Sequence, residues 1–149
     1  MLLWYISFPR NDERQTIYDI RERERINRNM RMRRYAMKFN HENLDVYRVA
    51  LEFLAFTYEI LQNIPSGYSF LSDQFKRASL SIVLNIAEGS GKVDRKEQTR
   101  FYKISRGSAN ESTAILDALQ IFQLISKDEQ EKGRSLLFRI ICMLSKMTL

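Results

Sequence analysis

Between Leu44 and Ile125 the apolar residues recur in alternating steps of three and four. A chain patterned in this way has few options other than long helices packed side by side. Leu44, Tyr47, Leu51, Leu54, Tyr58 and Leu61 form one seam at 3, 4, 3, 4 and 3. A second stripe, Val46, Ala50, Phe53, Thr57, Ile60 and Ile64, runs beside it about 100° around the axis, so the apolar arc is wider than a single seam requires. One stripe is expected to face a bundle core and the other a second chain. Ile64-Pro65-Ser66-Gly67 ends this helix, because proline breaks the hydrogen-bond ladder.

Apolar density peaks in the next segment, Gln74 to Lys92, where only Ser79, Ser81 and Asn85 interrupt the run from Ala78 to Ala87. Its helix starts between Ser69 and Asp73, with Leu71, Phe75, Ala78, Ile82, Asn85 and Gly89 as interior positions. Gly89-Ser90-Gly91 is expected to stop it, with glycine in the left-handed conformation. Asp94 and Glu97 resemble a capping box for a third helix, whose seam is read as Phe101, Ile104, Ser108, Glu111, Ile115, Ala118, Phe122 and Ile125. Ser126 and Glu129 repeat the signal before a fourth helix with an apolar face of Leu136, Leu137, Ile140, Ile141, Leu144 and Met147. With 5 Gly and 2 Pro the chain lacks the regular turn signals of a sandwich or barrel. The prediction is all-α: an antiparallel up-down four-helix bundle over residues 37–149.

Residues 1–36 differ in kind. They carry nine Arg, no Lys and five acids, a charge of +4, whereas residues 37–149 carry fifteen basic and thirteen acidic residues, or +2. Arg21 to Arg34 contains seven Arg and almost no apolar residue at helical spacing. This extension is expected to be poorly ordered or separately helical, either folding onto RNA or serving no selected role, with translation starting at Met30, Met32 or Met37. MLLWYISF has no basic segment before it and is too short for a signal peptide or a membrane span. The single cysteine, Cys142, excludes an intramolecular disulfide and reads as a buried thiol in a reducing compartment. A cytoplasmic protein without a membrane partner is expected.

The polar residues on interior positions need an account. Asn85, Ser108 and Glu111 fall on seams, with Gln74, Arg77 and Glu88 close by. Reflecting a helical hairpin about Gly91 sets Gln74 opposite Ser108 and Arg77 opposite Ser105, so Arg77 is expected to reach Glu111 and Asn85 to reach Glu97. A buried carboxylate needs partners, so a hydrogen-bonded network that sets register is one reading. A ligand or catalytic site, with the Glu111 carboxylate held by Arg77, is the other. Gly107-Ser108-Ala109 is read as a close helix contact.

Enzyme motifs fare poorly. Gly89-Ser90-Gly91-Lys92 resembles the end of a phosphate-binding loop, but the first glycine is replaced by Ile86 and the magnesium-binding hydroxyl by Val93. One histidine and one cysteine make no zinc set, and no Glu-x-x-His pair exists for a di-iron bundle, so no metal or cofactor is expected. Arg34 and His41 share the Arg-x6-His spacing of the HEPN ribonucleases, but they precede the bundle, outside the context that motif requires. The expectation is a protein without enzymatic activity.

From Phe39 to about Ile125 the chain resembles the bacterial four-helix-bundle family encoded by intervening sequences of large-subunit ribosomal RNA genes. LDVYRVALEF, SDQFKRASLSIVLNIAEGSGK, KEQTRFYKIS and GSANE carry the resemblance. It implies a ring-like homopentamer with no established enzymatic activity. The family is also similar to the accessory variability proteins of diversity-generating retroelements, basic pentameric bundles that bind a reverse transcriptase and nucleic acid. Two functions follow as expectations. The first is a homo-oligomer that binds structured RNA, ribosomal RNA included, through Lys76, Lys92, Arg95, Lys96, Arg100 and Lys103 near the second-to-third helix turn. Opposed to that is a merely solvated basic face. The second is a scaffold that recruits a polymerase or another nucleic-acid enzyme through Phe70, Phe101 or Tyr102.

Overall fold

The computed structural model describes residues 22–27 and 39–149. The chain divides into two units, Met1–Lys38 and Phe39–Leu149. In the first, residues 22–27 are helical and exposed, with Arg25 paired to Glu22 at 2.9 Å one turn away. The MLLWYISF segment, Arg34 and the rest of the arginine-rich stretch lie outside the described residues.

The second unit is the predicted all-α bundle. A 3-10 turn, Asn40–Asn43, leads into α1 (Asp45–Leu61), and another, Ser66–Tyr68, into α2 (Ser69–Ser90). Helices α3 (Arg95–Ile121) and α4 (Lys127–Met147) follow. Each helix packs on its chain neighbours and α1 closes on α4, so connections and contacts agree with an up-down order. Both expected N-caps are present, although the first forms only the Asp94 half of a capping box. The Asp94 carboxylate accepts from Glu97 N at 3.0 Å. At α4, Ser126 Oγ accepts from Glu129 N at 3.2 Å while the Glu129 carboxylate accepts from Ser126 N at 2.7 Å, a complete capping box. Ser126 N and, at 2.8 Å, Ser126 Oγ both donate to the Glu129 carboxylate and hold it below its ordinary range.

Which stripes face inward is decided by packing. On α1 the second stripe is the core: Val46, Ala50, Phe53, Thr57 and Ile60 are buried, joined by Val49 and Phe56. The first seam lies on the flank toward α2, where Tyr58 remains 66% exposed and Leu51 is exposed too. On α3 the observed seam is Tyr102, Ser105, Ala109, Ser112, Leu116 and Leu119, displaced by one residue from the expected one. Ile104, Glu111 and Phe122 are consequently exposed, although Ser108 and Ile115 are buried. The displacement has a physical cause, because small residues let α3 approach α2 closely. Ser105 Oγ donates to the Ile82 carbonyl at 2.9 Å and Ser112 Oγ to that of Ser108 at 2.9 Å, so these hydroxyls are buried without loss of hydrogen bonds.

Glycine roles also differ from expectation. Gly91 is right-handed at φ −86°, and the last turn of α2 closes through Gly91 N and Lys92 N donating to the carbonyls of Glu88 and Gly89 at 3.1 Å each. Gly89 keeps its expected interior position and packs against Tyr102. Gly107 has nothing within 4 Å of the place a Cβ would occupy, so it makes no close helix contact within the bundle.

Candidate nucleic-acid interface

Helix α3 begins at the short turn after α2, and its first turns carry cations at i, i+1, i+5 and i+8: Arg95, Lys96, Arg100 and Lys103. These four line one open groove of about 920 Å³ together with Asp94, Thr99 and Ile104. Asp94 is turned to its cap, and among the described residues none of the four cations lies within 4.0 Å of a carboxylate. A face of uncompensated charge results. Such a face favours a polyanion, since each phosphate neutralised releases counterions.

The other two predicted contacts stand differently. Lys92 is at the turn, but its ammonium is 3.3 Å from Glu88 and 4.9 Å above the Phe101 ring, so its charge is partly answered within the protein. Lys76 is not near the turn. It is fourteen residues before Ser90 on α2, about 21 Å along the axis, pairs with Asp73 at 3.6 Å, and borders the groove between α1 and α2. Summing basic residues around a turn overlooks how far a helix carries them.

The polar network forms in altered pairs. Gln74 Nε2 donates to Glu111 Oε1, and Arg77 donates to Gln74 Oε1 at 2.5 Å, so the guanidinium reaches Glu111 only through the amide. Asn85 donates back along α2 to the Ser81 carbonyl at 2.7 Å and its Oγ at 3.1 Å, not to Glu97. Ser81 and Ser108 share a bond of 2.8 Å across the helices. Glu88 stands apart, paired with Lys92. The α2–α3 register thus rests on small hydroxyl groups inside and one amide–carboxylate bond outside. An exposed Glu111 has no need of a buried partner.

Arg106 was missed by sequence reasoning. It continues the row Arg95, Thr99, Lys103 at helical spacing, and its Nη1 donates to Ser145 Oγ at 3.4 Å near the end of α4 and to Oγ1 of the capping Thr148 at 3.5 Å. The spacing was the available signal. Neither aromatic beside the cations presents a free face: Tyr102 is 3% exposed, with burial pushing its phenol up, and Phe101 is half-buried beneath Lys92. His41 sits in the first 3-10 turn, stacked on Phe39 at 5.7 Å and edge-on to Tyr47 at 4.6 Å. Cys142 is half-buried between α1 and α4.

The family description "23S rRNA-intervening sequence protein" matches residues 42–146. The chain belongs to that family. The matched span runs from the first 3-10 turn almost to the end of α4, so it takes in the whole bundle and leaves the arginine-rich extension outside. The crystal structure of a protein with unknown function from the S23 ribosomal protein family of Bacteroides thetaiotaomicron is similar at a TM-score of 0.65 and 22% identity, covering 69% of this chain and 97% of that one. At that identity the likeness concerns the fold. No curated protein matches the chain. Among the described residues, no helix of this family member is long and apolar enough to cross a membrane.

Proposed function

We propose that this intervening-sequence protein is a non-enzymatic homo-oligomer, a pentamer by family resemblance, that binds structured RNA in the cytoplasm. The observation that carries the RNA reading is the groove at the start of α3, where Arg95, Lys96, Arg100 and Lys103 converge without a carboxylate partner among the described residues. The ribosomal RNA context of the family makes that RNA a natural first ligand. Self-assembly draws support from the α1–α2 flank, where Leu51, Tyr58, Leu80 and the 56%-exposed Leu84 give one side of the bundle an apolar surface. A ring would repeat the four-cation face around its axis and multiply a weak contact.

Electrophoretic retardation of ribosomal RNA fragments across a salt series tests the reading, with solution mass measured on the same preparation. Retention that weakens as salt rises, by an assembly larger than one chain, is the expected result. A monomer that binds no RNA at low salt would overturn it. A scaffold for a nucleic-acid enzyme is the second reading, favoured by the aromatic patch of Tyr68, Phe70 and Phe122, whose rings lie 6.5 and 5.9 Å apart with Phe70 63% exposed. A reverse-transcriptase gene beside this one, and co-purification of its product, would favour that reading.

A further inference from the structure

We infer that the α3 face binds the phosphate backbone of double-stranded RNA without reading its bases, and that Arg106 is an additional phosphate contact at its inner end. This rests on the RNA reading above. Arg95, Lys96, Arg100, Lys103 and Arg106 project within an arc of about 140° on α3 and span about 16 Å of its axis. Glu97 falls outside that arc, on the flank toward α2, so a strand laid along the cations meets little opposing charge. The cations form a line along the helix.

One feature favours duplex over single strand. Sequence-tolerant binding of single strands uses exposed aromatic rings as stacking platforms. Here Tyr102 is buried in the core and Phe101 is covered by the Lys92 ammonium at 4.9 Å, so among the described residues the basic face offers no free ring. The exposed ring at the same end of the bundle, Phe39, adjoins the 3-10 turn packed on α1 and α2, and that turn makes no contact with α3. A duplex asks for no such ring, because its shape and phosphates are read from outside. Arg106 adds order: its bonds to the Ser145 and Thr148 hydroxyls orient the guanidinium but leave its charge unneutralised. A guanidinium held in place loses less freedom on meeting a phosphate than a free lysine does.

The test compares an RNA duplex with one of its own strands, using the full chain and a series of salt concentrations. The duplex should be bound more tightly, and Arg106→Gln should reduce the slope of log K against log salt by about 0.9 per site, the loss of one phosphate contact. Arg100→Gln, whose side chain bonds to no other helix, should give the same reduction and controls for folding, with helicity checked by circular dichroism. Single strand bound as tightly as duplex would overturn the inference and leave the RNA reading standing. An unchanged slope in a folded Arg106→Gln protein would remove Arg106 from the contact. Binding of neither RNA at low salt would overturn both readings.

Discussion

A Cβ on Gly89 would stand 2.7 Å from Cε1 and 2.9 Å from Cδ1 of Tyr102, so α2 and α3 cross where one helix lacks a side chain and the other presents a ring. The ring is 3% exposed, packed within the core. Gly89→Ala should therefore cost about 1–3 kcal/mol through overpacking, seen as a lower urea midpoint with an unchanged m-value. Stability equal to wild type would show that the crossing is looser than this contact implies.

Gly107 is the opposite case. It lies in mid-helix on the exposed face of α3, and an added methyl meets nothing within 4 Å. Gly107→Ala should raise stability by about 0.5–1 kcal/mol, because glycine loses more backbone freedom than alanine on entering a helix. Thermal unfolding measures the gain. A loss would mean that another surface occupies the space beside Gly107.

These two glycines also show what the chain reveals of itself. The four helices, both caps and the up-down order follow from periodicity and punctuation, which act locally and survive any detail of packing. The phase of α3 does not. A seam read from hydropathy ranks Ile104 above Ser105, whereas close approach to α2 selects the serine and turns the isoleucine outward. Gly89 falls on the expected interior face, but the ring it packs against is visible only once Tyr102 is set beside it. Four of the six expected basic contacts do line one groove because they share one helix, while Lys76 belongs to another surface.

Ser126→Ala removes the hydroxyl half of the α4 capping box, while the backbone N–H at position 126 still donates to the Glu129 carboxylate. A loss of about 0.5–2 kcal/mol is expected at neutral pH. The cap has a pH signature as well. Because folding holds the Glu129 carboxyl below its ordinary range, the stability it adds is complete above that range and is lost as pH falls through it to the folded value. The Ser126→Ala protein should therefore lose less stability than wild type over that acid interval, as shown by chemical denaturation at a series of pH values. Parallel curves would show that the Ser126 hydroxyl adds nothing to what the backbone N–H at that position gives the Glu129 carboxylate.

The apolar flank of α1 and α2 predicts the outcome of a single charge. Leu84 is 56% exposed and Leu80 46%, so a carboxylate at either position stays in water within one protomer. Leu84→Glu should leave helicity and monomer packing intact while reducing the solution mass to that of a single chain. Light scattering measures the change. An assembly of unchanged mass would exclude this flank as the interface.

Glu111 gives the sharpest contrast between a seam position and an exposed one. A carboxylate buried in the core and bonded there would cost about 3–5 kcal/mol to disturb by removing its partner, because a charge would be left without compensation. Here Glu111 is exposed, its bond comes from the neutral Gln74 amide, and Arg77 acts on it only through that amide. Bonds of this kind on a surface contribute little, so Gln74→Ala should cost less than about 1 kcal/mol. Denaturant unfolding of the single chain, made monomeric by Leu84→Glu where needed, isolates this effect. A loss of several kcal/mol in that background would return Glu111 to the core. The same loss confined to the assembled protein would place the Gln74–Glu111 pair beneath a neighbouring protomer.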